Sequence, residues 1–92
     1  MASSRDIKKD INFLANQVIT ECFSYMEYSP VNNQENVLDI MHDAEQLRRN
    51  LLYKVNNPPE NGSKKEYFRS IIEEMYEMNM KLLEELNSLN EK

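Results

Sequence analysis

The sequence predicts an all-α protein: an antiparallel up-down-up three-helix bundle that could complete its core by dimerisation. Three observations carry this expectation. Apolar residues recur at spacings of three and four along three separate segments, which is the helical period. The three prolines and the single glycine fall between those segments. One glycine in 92 residues also leaves little for the tight turns of a β architecture.

The first segment runs from about Ser4 to Tyr28, with the stripe Ile7, Ile11, Leu14, Val18, Cys22 and Tyr25. Ser3 or Ser4 can cap its free N–H groups, and Asp6 suits the positive end of the helix dipole. Ser29-Pro30 ends it, because the residue before a proline is pushed out of the helical region.

The second segment runs from about Gln34 to Val55, with the stripe Val37, Leu38, Met41, Ala44, Leu47, Leu51, Leu52 and Val55. Asn33 is the expected cap. Asn56-Asn57-Pro58-Pro59 stops the helix, since two prolines cannot continue its hydrogen-bond ladder.

The third segment runs from about Lys64 to Leu89. Ser63-Lys64-Lys65-Glu66 reads as a capping box, the most specific local signal in the chain, and Asn61-Gly62-Ser63 as the turn leading into it. The stripe is Phe68, Ile71, Ile72, Met75, Met78, Leu82, Leu86 and Leu89.

A helix with one apolar stripe is not stable alone in water. Short connections favour antiparallel neighbours, so residues 1–92 read as a single helical domain with helices at about 4–28, 34–55 and 64–89. Helices of this length reach roughly 33–39 Å at 1.5 Å per residue. That is slender for a monomer and raises the prospect of self-association.

Composition narrows the function. A chain this short builds one modest core and no deep substrate cavity. The lone Cys22 excludes an intramolecular disulfide and a multi-cysteine zinc site. No segment approaches the ~20 apolar residues of a membrane span, and charged residues follow close on the N-terminus in place of a signal peptide. A cytoplasmic protein with a reduced thiol, no cofactor and no membrane partner is expected.

Candidate chemistry is sparse. Asp39 and His42 share the three-residue spacing of helical di-metal sites, but the chain has one histidine and lacks the repeated Glu-x-x-His such sites use. Cys22 with His42 would make a thiolate–imidazole pair, yet Cys22 falls on an apolar stripe, where a buried thiol is ordinary. No catalytic and no metal-binding residue is assigned, and an enzyme is not expected.

Two polar residues interrupt the stripes. Arg48 falls in the second and Asn79 in the third. Counting turns sets Arg48 near Asp10 and Asn79 near Glu21. The ordinary reading is that Arg48 lays its stem on apolar surface and pairs with Asp10, while Asn79 sets register at some cost in stability. The functional alternative makes Arg48 the wall of a small anion-binding groove. Four apolar residues lie off the stripes: Phe13, Phe23, Tyr53 and Met80. Together they form a candidate partner surface.

The net charge of −5 is unevenly spread. In an up-down-up bundle one pole collects Arg5, Lys8, Lys9, Arg48, Arg49, Lys54, Lys64, Lys65 and Arg69, against Asp6, Asp10, Glu60 and Glu66. That pole nets +5 and the remainder −10. Lysines at the start of a helix oppose the dipole preference, so Lys64 and Lys65 are not placed there for the helix's sake. The pole is a candidate contact for nucleic acid, ribosome or an acidic protein, though no aromatic stacking platform or nucleic-acid motif accompanies it.

The stretch Arg5-Asp6-Ile7-Lys8-Lys9-Asp10-Ile11-Asn12, with Val18-Ile19 and Cys22-Phe23-Ser24-Tyr25, resembles the start of small all-helical bacterial proteins of no known activity. The resemblance covers about the first thirty residues and implies a bacterial cytosolic setting, with no site residues. The expected function is a non-enzymatic helical interaction module, a homodimer or a subunit of a larger assembly. The alternative is a nucleic-acid- or ribosome-associated accessory factor acting through the basic pole.

Overall fold

The computed structural model describes residues 4–28 and 33–89, apart from the Ser4 side chain. It contains three helices, α1 (Ser4–Tyr28), α2 (Gln34–Asn56) and α3 (Lys64–Ser88), and the described residues include no strand. The cap expected from Ser3 or Ser4 and the Ser29-Pro30 stop lie outside what is described.

Asn33 precedes α2 differently from the expectation. It sits in the left-handed region at φ 58°, which asparagine tolerates, and its side chain makes no cap. A capping side chain needs an extended backbone to reach the second or third N–H of the helix. Turned away from that position, Asn33 Nδ2 donates to the Tyr25 hydroxyl at 3.1 Å. Tyr25 in turn donates to the Leu89 carbonyl at 3.4 Å. One tyrosine thus ties together the end of α1, the start of α2 and the end of α3.

At the other connection the local signals hold. Asn57 closes α2 with its Nδ2 donating to the Tyr53 carbonyl at 2.9 Å, just before the two prolines. Gly62 adopts φ 97°, a conformation costly for any residue with a Cβ. The Ser63 hydroxyl then accepts the Glu66 N–H at 3.3 Å, opening α3. This is one half of the expected capping box; the return bond from the Ser63 N–H to the Glu66 carboxylate does not form among the described residues.

Two apolar clusters define the topology. One joins Ile7 and Ile11 of α1 to Leu51 and Val55 of α2 and to Ile71 and Met75 of α3. The other joins Val18, Cys22 and Tyr25 to Val37, Ile40 and Ala44 and to Leu82 and Leu86. The start of α1 therefore meets the end of α2 and the start of α3, which is the up-down-up bundle. The result is a rod of 49 × 19 × 18 Å.

Packing chooses a narrower seam than the stripes suggested. Ile40 is buried and Leu38, counted in the stripe of α2, is half exposed. Val37, Ile40, Ala44, Leu51 and Val55 fall within one arc, whereas Leu38 stands about 100° round from Val37. On α1 Ala15 joins the core, and on α3 Met78 moves out to the groove against α2.

Asn79 sits between the two clusters in sequence, one turn above Met75 and just below Leu82. It is 5% exposed. Its Nδ2 donates to the Met75 carbonyl of its own helix at 2.7 Å, and its Oδ1 accepts nothing. The Tyr25–Leu89 bond sets the register of α1 against α3, and by that register Asn79 stands level with Ala15, well short of Glu21. The turn count that set it near Glu21 ignored the stagger between the helices.

Candidate functional site

Arg48 is held by its own helix. Its Nη2 and Nε donate to the Glu45 carboxylate at 2.6 and 3.1 Å, and its Nη1 reaches Asn12 Oδ1 at 3.3 Å. The expected pairing with Asp10 is not what the structure shows. Asp10 lies two residues before Asn12, about 160° round the helix and away from α2. Because Glu45 already takes two of the guanidinium donors and neutralises its charge, little attraction is left for an anion in the suggested groove.

Arg49 shares the same carboxylate, at 3.1 Å. Hydrogen bonds from Arg48 first and Arg49 second hold the Glu45 carboxyl at about 2, below its ordinary 4.5. Such a depressed group adds stability above its unfolded value and loses it as pH falls through the folded one. Acid unfolding should therefore steepen between pH 4.5 and 2. Glu45→Gln should flatten that interval in urea melts at stepped pH. The pair is partly exposed, so the amplitude is small and shrinks with added salt. A slope unchanged by the substitution would show that the ion pair does not persist in solution.

The basic pole is weaker than its sequence suggests. Lys54 pairs with Glu74 at 2.9 Å, and Arg48 and Arg49 are both spent on Glu45. Counting Glu45 and Glu74 with the bases they touch leaves nine basic against six acidic residues, a net of +3, and a remainder of −8. Lys8, Lys9, Lys64, Lys65 and Arg69, with Arg5, make up the part of the pole that forms no ion pair among the described residues.

Cys22 lies in the cluster with Val18, Val37 and Leu82 and has no exposed surface. Burial, and secondarily the charge of Glu21, push its thiol up to about 11, the opposite of what a nucleophile needs. His42 and Asp39 are both exposed. Among the described residues no group of three His, Cys, Asp or Glu is placed to hold a metal ion. No helix of the described chain is long and apolar enough to cross a membrane.

The four residues read as a partner surface are all exposed, but they do not form one surface. Helical geometry separates them. Phe23 lies eleven residues, about three turns, beyond Asn12, whose side chain faces α2. It therefore flanks the α1–α2 side, as does Leu38, two turns before Glu45. Tyr53 points outward from α2, opposite the core arc. Phe13 points outward from α1, about 160° round from the buried Ile11. Met80, two turns before Asn87, belongs to the α1–α3 side, where it is joined by Tyr76, which lies one turn before it and is 57% exposed. Tyr76 and Leu38 were missed because each sits within an apolar sequence context, where exposure depends on which way the helix is rotated.

No family model matches the chain, and neither a curated protein nor a solved structure is detectably similar to it. The resemblance of the opening residues to small bacterial proteins therefore carries no activity onto this chain.

Proposed function

We propose that the protein is a non-enzymatic helical interaction module that works in the cytoplasm by associating with itself. The observation that carries this reading is the set of large apolar side chains left exposed on a thin rod: Phe13, Phe23, Tyr28, Leu38, Tyr53, Tyr76, Met78 and Met80. Scattered single residues of this kind need no explanation. Here some group, Phe23 with Leu38 on one side and Tyr76 with Met80 on another, and grouped apolar surface marks interaction sites.

The test is molar mass in solution across a concentration series, by light scattering or sedimentation. A mass of twice the chain supports the reading. A single-chain mass at every concentration overturns it. The competing reading, an accessory factor that grips nucleic acid or ribosome through the basic pole, draws support from the unpaired lysines. It is checked in the same preparation by salt-dependent retention on an anionic matrix. Retention despite a net charge of −5 would favour it.

A further inference from the structure

Beyond Asn79, α3 is held to the bundle less firmly than before it. In the register set by Tyr25 and Leu89, Ile71 and Met75 stand level with Ile7 and Ile11, Leu82 with Val18, and Leu86 with Cys22. The first half of α3 adds polar ties to this packing. Lys54 pairs with Glu74 at 2.9 Å, and the Tyr67 hydroxyl donates to the Lys54 carbonyl at 2.9 Å. The stretch from Met80 to Leu89 takes part in none of the ion pairs among the described residues. Among those residues, its one hydrogen bond to another helix is the Tyr25–Leu89 bond, at 3.4 Å.

Charge loosens the same stretch. Glu85 lies in the last turn of α3, where no basic residue answers the negative end of the dipole. It shares one groove with Asp43 of α2 and a second with Asp39. Glu21 of α1 lines the groove on the other side, beside Leu86. Among the described residues lining these three grooves Lys81 is the single base, and it forms no ion pair. Like charges facing each other across a seam favour its opening.

Asn79 supplies the place to open. Its Oδ1 accepts nothing while α3 runs straight, and it regains water once the chain beyond it turns away. Asparagine also suits the position just past a helix end, where the left-handed conformation is common. Asn33 of this chain already holds that conformation, at φ 58°. A helix shortened to end before Asn79 keeps Tyr67, Ile71, Glu74 and Met75 in place, and with them the whole cluster around Leu51.

We propose that Met80 to Leu89 form a strap that opens as one unit at Asn79 while the rest of the bundle stays folded. Opening withdraws Leu82 and Leu86 from α1 and uncovers Val18 and the Cys22 thiol. The strap is thus a device that controls access to the chain's one cysteine, and it operates whether or not the chain self-associates.

Cys22 itself reports the opening. The whole chain, at one fixed concentration, is exposed to an aromatic disulfide reagent, and in parallel to deuterium, in rising urea below the unfolding transition. Labelling of Cys22 should rise with urea far less steeply than global unfolding does, because the strap exposes only a small part of the surface. Amides of Leu82 to Leu86 should share one opening free energy with Cys22, lower than that of Ile71 to Met75. Glu85→Lys should slow the labelling roughly 3-fold or more, since a lysine there suits both the dipole and the facing acids. Salt raised from low to physiological strength should slow it too. Cys22 labelling that follows the urea dependence of global unfolding overturns the proposal. So does amide exchange that quickens smoothly toward Ser88 with no step at Asn79, which is the fraying of an ordinary helix end.

Discussion

Leu51→Ala is expected to lower the free energy of unfolding by about 2–5 kcal/mol. Leu51 has no exposed surface, and it packs with Ile7, Ile11, Val55, Ile71 and Met75. It is thus the α2 side chain about which the starts of α1 and α3 close. Truncation removes its transfer free energy and leaves a gap that three helix backbones cannot collapse to fill. A domain of this size commonly has a total stability of about 5–15 kcal/mol, so the loss is a large share of it. At 4–8 °C per kcal/mol, the thermal midpoint should fall by roughly 8–40 °C. Melting followed by circular dichroism at one fixed protein concentration checks this, the concentration held constant because self-association would shift the midpoint. Tyr53→Ala is the internal control. It lies on the outer face of α2 and should move stability by no more than about 0.5 kcal/mol. A Leu51→Ala protein as stable as the control would mean that the cluster around Leu51 does not hold the bundle together.

Asn79→Leu is expected to act the other way and raise stability by about 1–3 kcal/mol. The asparagine is buried, one of its polar atoms is bonded only to its own helix, and the other accepts no hydrogen bond. A buried orphan acceptor keeps the full cost of its lost hydration. Leucine removes that cost and links the cluster around Met75 to the cluster around Leu82. Level with it stands Ala15, a small side chain that leaves room for the branched methyls. Chemical denaturation of the two proteins side by side decides the matter. A loss of stability would show that Asn79 Oδ1 has a partner in solution, or that the waist has no space for leucine. A gain accompanied by broadened NMR signals would mean that the asparagine had been selecting one register among several, the role a lone polar residue plays in helical seams.

The fold was legible in the sequence because its signals are local. The period of Ile7, Ile11, Val18 and Cys22 needs no partner to be recognised, Pro58 and Pro59 stop a helix by lacking N–H donors, and Ser63 starts one through its hydroxyl three residues from its partner. The candidate surfaces were only half legible. Phe13, Phe23, Tyr53 and Met80 stand off the stripes and are exposed, but nothing local tells which neighbour each will flank. Leu38 and Tyr76 were hidden for the same reason. A helix can turn by tens of degrees about its axis without altering its own hydrogen bonds, and that rotation decides which flanking residue is covered.

The charge layout shows the same division. Topology alone assigns Lys54 and Arg48 to a basic end, because helix order depends only on the lengths of the connections. Their neutralisation by Glu74 and Glu45 depends on reach. Lys54 meets a carboxylate on another helix, twenty residues away in sequence. Asn33 makes the point for a single side chain. Its place before α2 marks it as a cap, yet the nearby Tyr25 hydroxyl takes its amide. By itself, then, the sequence determined three amphipathic helices, their ends and their order, since periodicity, proline and backbone capping act within a few residues. Only the tertiary structure decided the rotation of each helix, the partners of Arg48 and Asn79, and which apolar side chains remain to meet another molecule. Those follow from how three surfaces fit at once, and close packing admits few such arrangements.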